Sequence, residues 1–295
     1  MSRWPFRRLL LTVLAVIWSP AAPAGAEETT VQGSLAADTL WSGSVTVVGQ
    51  FFVKKGATLT ILPGATVRFA WLDTDGDGIG DGELNVEGRI VARGEPARPI
   101  VFTSGKDAPA MKDWTFVMIS TNKDSHLEYC LVEYAFSGMQ VHYSSATIRN
   151  CLFRRNFEGV RFSTTAVDIT DCDFAENYYG LRFEANGSRA NVLRNRIEGN
   201  RYGIFPPGRG TQTMRFERNN IARNTEFNVY FGDSQKADLD FRGNWWGTAD
   251  PAAIVAAFYD KTKDPLIGRA LWDPPLPAPV EPCGVEDRSF VERLK

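Results

Sequence analysis

Histidine is nearly absent from this chain: His126 and His142 are the only two in 295 residues. An enzyme built on histidine acid–base chemistry would be thinly provisioned by that pair. Cysteine is sparse as well, at four (Cys130, Cys151, Cys172 and Cys283). A chain of 32.8 kDa buries enough core to fold without staples, so this is not a small disulfide scaffold. There is no basic excess, because 33 Lys and Arg face 35 Asp and Glu. A dedicated nucleic-acid binder shows the opposite balance. Beyond the first thirty residues no stretch approaches the roughly 20 apolar residues that span a bilayer.

The N-terminus is organised differently from the rest. Arg3, Arg7 and Arg8 precede an apolar run from Leu9 to Trp18, and Ala24-Gly25-Ala26 forms an A-x-A cleavage pattern. Residues 1–26 therefore read as a secretory signal cut after Ala26, with an uncleaved anchor as the alternative. No cysteine follows the run to carry a lipid. Without the three arginines the balance is 30 basic to 35 acidic residues, a net charge of −5. The remaining chain is expected to be exported, to a periplasm or beyond, where calcium is plentiful and disulfides are permitted.

A repeat occupies the middle of the chain. Cys130, Cys151 and Cys172 stand 21 residues apart, and stacking at that period aligns HLEYCLVEYAFSGMQVHYSSA (126–146), TIRNCLFRRNFEGVRFSTTAV (147–167) and DITDCDFAENYYGLRFEANGS (168–188). Leu127, Ile148, Ile169 and Val192 share a column, as do Val132, Phe153, Phe174 and Ile197. Asn156 and Asn177 align and continue into Asn200 and Asn224, while Gly138, Gly159, Gly180 and Gly203 follow at a constant offset. A period this short cannot hold a helical hairpin, which takes about 33 residues or more. It fits a coil of three short strands, each coil stacking about 4.8 Å from the last. Glycine or asparagine is expected to supply the turns, because both tolerate left-handed backbone angles. Inward asparagines would bond one another between coils. The cysteine column, which passes into Asn195 and Asn219, reads most simply as buried packing; an inter-coil disulfide and a metal site are the alternatives.

The flanks extend the pattern. GATLTILPGATVRF (56–69), then GELNVEGRIVARGEPARPIVFTS (82–104), then Trp114, the asparagine-rich coils and NWWGTADP resemble, in that order, bacterial secreted right-handed parallel β-helix repeat proteins of the pectate-lyase-like superfamily. The resemblance implies an all-β solenoid of about eight or nine coils over residues 27–273. Trp245 and Trp246 then fall where the family's closing motif packs on the last coil, Ala252–Phe258 reads as a short helix, and Trp272 as a last apolar contact. Residues 274–295 read as a proline-rich, extended tail. Its Cys283 is a tether to another thiol, an internal partner or an idle thiol.

Fold does not fix activity, and the motifs of the family's polysaccharide-cleaving members are missing. There is no aspartate pair followed by Gly-His-Gly and Arg-x-Lys, no Arg-x-Pro-x-x-Arg and no Asp-Pro-His. The outward columns nevertheless place His142, Arg161, Arg182 and Glu184 in one patch. Two arginines suit a uronate carboxylate; alternatively Arg182 and Glu184 merely offset each other in solvent. The strongest local signal is DTDGDGIGDG at 73–82. Asp73, Asp75 and Asp77 occupy positions 1, 3 and 5 of a D-x-D-x-D-G calcium loop, the Ile79 carbonyl position 7 and Asp81 position 9. Position 12, where a calcium-sensing hand places glutamate, is Leu84, and the flanking segments alternate like strands. The insertion at 73–83 is therefore expected to be a structural calcium staple. Two functions stay open: a non-catalytic cell-surface, adhesion or glycan-binding protein, and a polysaccharide lyase or hydrolase with a divergent site. The partner in either is a polysaccharide or a cell-surface glycan.

Overall fold

The computed structural model describes residues 28–120, 124–208, 210 and 214–293. The expected signal segment, 1–26, lies outside the described residues. The chain winds as a parallel β-helix, and residues 145–163 show one turn. Ser145–Arg149 lies on a first face, Leu152–Arg154 crosses a second, and Glu158–Ser163 runs along a third. Each strand pairs in parallel with the strand 21 residues on: Ile148 with Ile169, Phe153 with Phe174, Phe162 with Phe183. The first face is an eight-stranded sheet. The other two merge into one of 17 strands, because long strands such as Ser44–Val53 bend across both. Along the third face ten rungs follow one another, from Gly33–Leu35 to Phe258–Tyr259, slightly more than the expected eight or nine coils.

Alternation within each strand sends one side chain in and the next out, and the 21-residue period stacks like on like. Phe153 lies on Phe174 at 5.1 Å and Phe162 on Phe183 at 5.3 Å, ring over ring. Trp114 stacks on Phe69 at 4.0 Å, fully buried. The asparagine columns form ladders as expected. The backbone N–H of Asn156 donates to Asn177 Oδ1 (3.0 Å), and Asn177 Nδ2 donates to the Phe153 carbonyl (2.9 Å) and to Asn200 Oδ1 (2.9 Å). A second ladder runs through Asn195, Asn219 and Asn244. The cysteines continue it upward. Cys172 Sγ accepts the Cys151 N–H at 3.5 Å and donates to the Thr170 carbonyl at 3.2 Å, the same two tasks the amides perform below it. All four thiols are free and buried.

The corners depart from the expectation. Asn150, Asp171, Arg194 and Arg218 take positive φ at one corner, and Tyr134, Arg155, Glu176 and Arg223 at the next. Glycine is the exception there, since only Gly199 stands in the second series. A single left-handed residue costs an L side chain about 1–2 kcal/mol. An inward asparagine follows five of these eight, with Cys151, Cys172 and Ala135 after the others, and offsets the cost by holding the bend in hydrogen bonds. The glycine column serves packing instead. A Cβ on Gly159 would stand 2.5 Å from the Gly180 carbonyl oxygen, a distance no side chain tolerates.

At the C-terminal end Asn244 completes its ladder and Trp246 packs edge-on against Phe258 at 4.7 Å, consistent with a structural role for the tryptophan pair. Helix α1 spans Pro251–Ala256, capped by Asp250, and Phe258 begins the last rung rather than ending the helix. Trp272 packs against the core, half-buried. The tail then turns back and climbs the second face as a strap, so it is not a free extension. Asn220 bonds both the N–H and the carbonyl of Val280, Gly284 donates to the Arg194 carbonyl, and Glu286 N–H donates to Asn150 Oδ1. Helix α2, Arg288–Arg293, seats Phe290 and Val291 on Leu131 and Leu152. Cys283 lies beneath the strap at 4% exposure and donates to the Asn195 carbonyl. Of the three readings of Cys283, a free and buried thiol supports neither the tether nor an internal disulfide.

Candidate functional site

The aspartate loop leaves the solenoid between the strands Thr66–Phe69 and Glu83–Val86. Its base is pinned twice: Asp81 N–H donates to the Leu72 carbonyl, and Gly80 N–H to the Lys112 carbonyl. One carboxylate oxygen from each of Asp73, Asp75 and Asp77 falls within 4.8 Å of the others. This all-oxygen set suits a hard cation such as calcium. Asp81 stands apart from the trio, because its carboxylate accepts from both the N–H and the hydroxyl of Thr74. Ile79 contributes its N–H to Asp77 Oδ1.

Farther along, the third face gathers the arginine patch. Parallel register sets Gln140, Arg161 and Arg182 side by side in one outward column, and His142, Ser163 and Glu184 in the next. His142 is tied down by Ser163 Oγ on Nδ1 (2.8 Å) and Gln140 Oε1 on Nε2 (3.1 Å). Burial, and then the Arg161 charge, hold its pKa below the ordinary histidine value, so the ring is neutral in this setting. Arg182 does not spend its charge on Glu184. It binds Glu158, which no motif or outward column in the sequence singles out. Glu158 is fully buried, its other oxygen lacks a hydrogen-bond partner, and so does the Ser137 hydroxyl one coil above. Arg161 is half-buried with no ion pair among the described residues. Burial, and then its neighbour Arg182, depress its pKa, the mark of a cation short of an anion.

Beyond Arg182 the same outward column turns aromatic, continuing as Phe205, Tyr230 and Tyr259. The parallel column beside it reads Tyr179, Tyr202 and Phe227. All six rings are half-buried, so edges or faces remain accessible. They contact one another: Tyr179 on Phe205 at 4.4 Å, Tyr202 on Tyr230 at 4.7 Å and Tyr230 on Tyr259 at 5.0 Å. Burial first, then neighbouring tyrosines, push the Tyr179 hydroxyl up to about 12, keeping it a neutral donor. This surface escaped the sequence reading because outward positions carry no periodic constraint. Its signal was the recurrence of tyrosine or phenylalanine in the residues flanking Gly180, Gly203 and Val229.

Stacked parallel rungs, inward asparagine ladders and one-residue corners define a right-handed parallel β-helix protein. Comparison with known families agrees: residues 116–257 match the right-handed beta helix region and residues 33–166 the pectate-lyase-like beta helix domain. The chain belongs to this β-helix superfamily. No curated protein and no solved structure matches it significantly. Among the described residues, no helix is long and apolar enough to cross a membrane.

Proposed function

We propose that the protein is an exported, non-catalytic binder of acidic polysaccharide, acting in the periplasm or at the cell surface. The observation that carries this reading is the six-ring aromatic surface running into the unpaired Arg161. Aromatic faces stack on the apolar faces of sugar rings, and a guanidinium without an internal partner takes a carboxylate in a charge-assisted hydrogen bond. Tyr202→Ala should weaken binding of every polysaccharide about tenfold. Arg161→Ala should weaken acidic ones such as polygalacturonate by at least as much, while sparing a neutral glucan; hydrogen bonds to charged groups are worth about 1.5–3 kcal/mol. Titration calorimetry decides, and unchanged affinity in both variants removes the proposal.

A second reading draws on the outward patch of His142, Arg161, Arg182 and Glu184, where an arginine free to hold a uronate carboxylate stands beside an imidazole and a carboxylate, the groups a divergent lyase or hydrolase would need. Unsaturated-uronate absorbance or new reducing ends that vanish in Arg161→Ala and Glu184→Gln would establish it over the binding role.

The aspartate trio fits a calcium staple in the same setting. Calcium at about 100 times its Kd would add about 2.7 kcal/mol, a rise of several degrees in melting temperature for a domain of this size. Asp75→Ala should abolish that rise. Melting that ignores both calcium and chelator would reduce the loop to a turn.

A further inference from the structure

The strap does more than cover the second face, because beside α2 a cavity of about 470 Å³ opens between strap and solenoid. Its size lies in the range of small-molecule sites. Ala175 and Leu152 from the solenoid and Val291 from the strap give it an apolar floor. Its rim alternates in charge. Arg288 of the strap binds Asp173, and Arg223 binds Glu198. Arg196 approaches Asp173 only to 3.6 Å, and its Nε and Asp173 Oδ1 both lack hydrogen bonds. Asp173 is 4% exposed, and burial drives its pKa up despite the two guanidinium groups. Arg196 Nε and Asp173 Oδ1 are buried facing each other, so the rim offers a ligand the accessible ends of Arg288, Arg196, Arg223 and Glu198.

The charge pattern of that rim selects the ligand. A simple anion would meet Asp173, Glu176 and Glu198, and a simple cation would meet four arginines, Arg154, Arg196, Arg223 and Arg288. A hydroxyl donates to the carboxylates and accepts from the guanidinium groups at once, and the CH face of a sugar suits the apolar floor. We propose that this seam binds a small neutral sugar, a mono- or disaccharide, and that the bound sugar clamps the strap onto the solenoid. The site is complete only with the strap docked, because Arg288 and Val291 come from it. The proposal is independent of polysaccharide binding on the third face.

Cys283 supplies the readout. It is covered by the strap, whereas Cys130, Cys151 and Cys172 are sealed in the coils at 0% exposure, so maleimide labelling of the native protein reports strap opening. Glucose, galactose, maltose and cellobiose are tested, with citrate and spermidine as charged controls. At ten times its Kd, an effective sugar should slow Cys283 labelling about tenfold, since opening falls by 1 + [L]/Kd. Ala175→Trp, which fills the cavity, should abolish the protection while leaving unliganded labelling slow. Should that variant dislodge the strap, Arg223→Ala replaces it, as this side chain is 74% exposed and serves the rim rather than the fold; protection should again be lost. The proposal fails if none of the four sugars protects, if protection survives the cavity variant, or if citrate alone protects. Protection should persist in Tyr202→Ala, so loss of glycan binding on the third face leaves this result standing.

Discussion

Asn177→Leu is expected to destabilise the solenoid by about 4 kcal/mol, far more than its modest change in volume would suggest. Asn177 accepts the N–H and the side-chain amide of Asn156 and donates to Phe153 and Asn200. Leucine would leave the Asn156 N–H and the Phe153 carbonyl without the bonds Asn177 gives them, and would strip Asn200 Oδ1 of one of its donors, leaving it the residue 177 N–H. Each orphaned group costs about 1–3 kcal/mol, and the ladder is cooperative. Denaturant unfolding measures the sum. Because a solenoid's coils lean only on their neighbours, hydrogen exchange should show protection lost first around Asn156 and Asn200. A destabilisation below about 1 kcal/mol would mean that the ladder is ornamental. Cys172→Ala is the comparison: a thiol's hydrogen bonds are weaker, so it should cost much less.

The ladder was legible in the sequence, and the strap was not, for one physical reason. Coils repeat, so each inward demand is written several times at a fixed spacing. Cys151 and Cys172, or Asn156 and Asn177, announce each other. A contact made once leaves no such record. Arg293 reaches the Pro96 carbonyl and Arg288 reaches Asp173 across long stretches of sequence, and nothing local marks either pairing. Pro274–Pro282 suggested an extended chain, but nothing in it said what the tail would lie against. The functional face shows the same division. Register placed Arg161 and Arg182 side by side as expected, whereas the partner of Arg182 proved to be Glu158, one coil away and on a different column. The nearest acid along the strand, Glu184, was the plausible choice only if the face was flat and wet. At the corners, strongly held asparagines let arginine, tyrosine and glutamate adopt angles usually left to glycine, so composition there misleads.

Phe290→Ala should free the strap without unfolding the coils beneath it. Phe290 is fully buried on Leu131 and Leu152 and meets Tyr129 edge-on at 5.9 Å. Truncating a buried phenylalanine costs about 3–5 kcal/mol. Here that loss falls on a segment held by few other apolar contacts, so it lowers a local opening free energy rather than the global one. About 3 kcal/mol corresponds to roughly two orders of magnitude in the open population. Cys283 labelling should accelerate by that factor while Cys130, Cys151 and Cys172 stay unreactive. Burial also raises the Cys283 thiol to about 11, so release should return it to ordinary thiol reactivity. Ser289→Ala, one residue away and bonded only to Asp287 and Arg293, should leave the rate nearly unchanged. If Phe290→Ala instead exposes all four thiols together, the strap is part of the cooperative core. If it exposes none, the polar contacts of Asn220, Asp173 and Asn150 are sufficient to hold the strap without its apolar anchor.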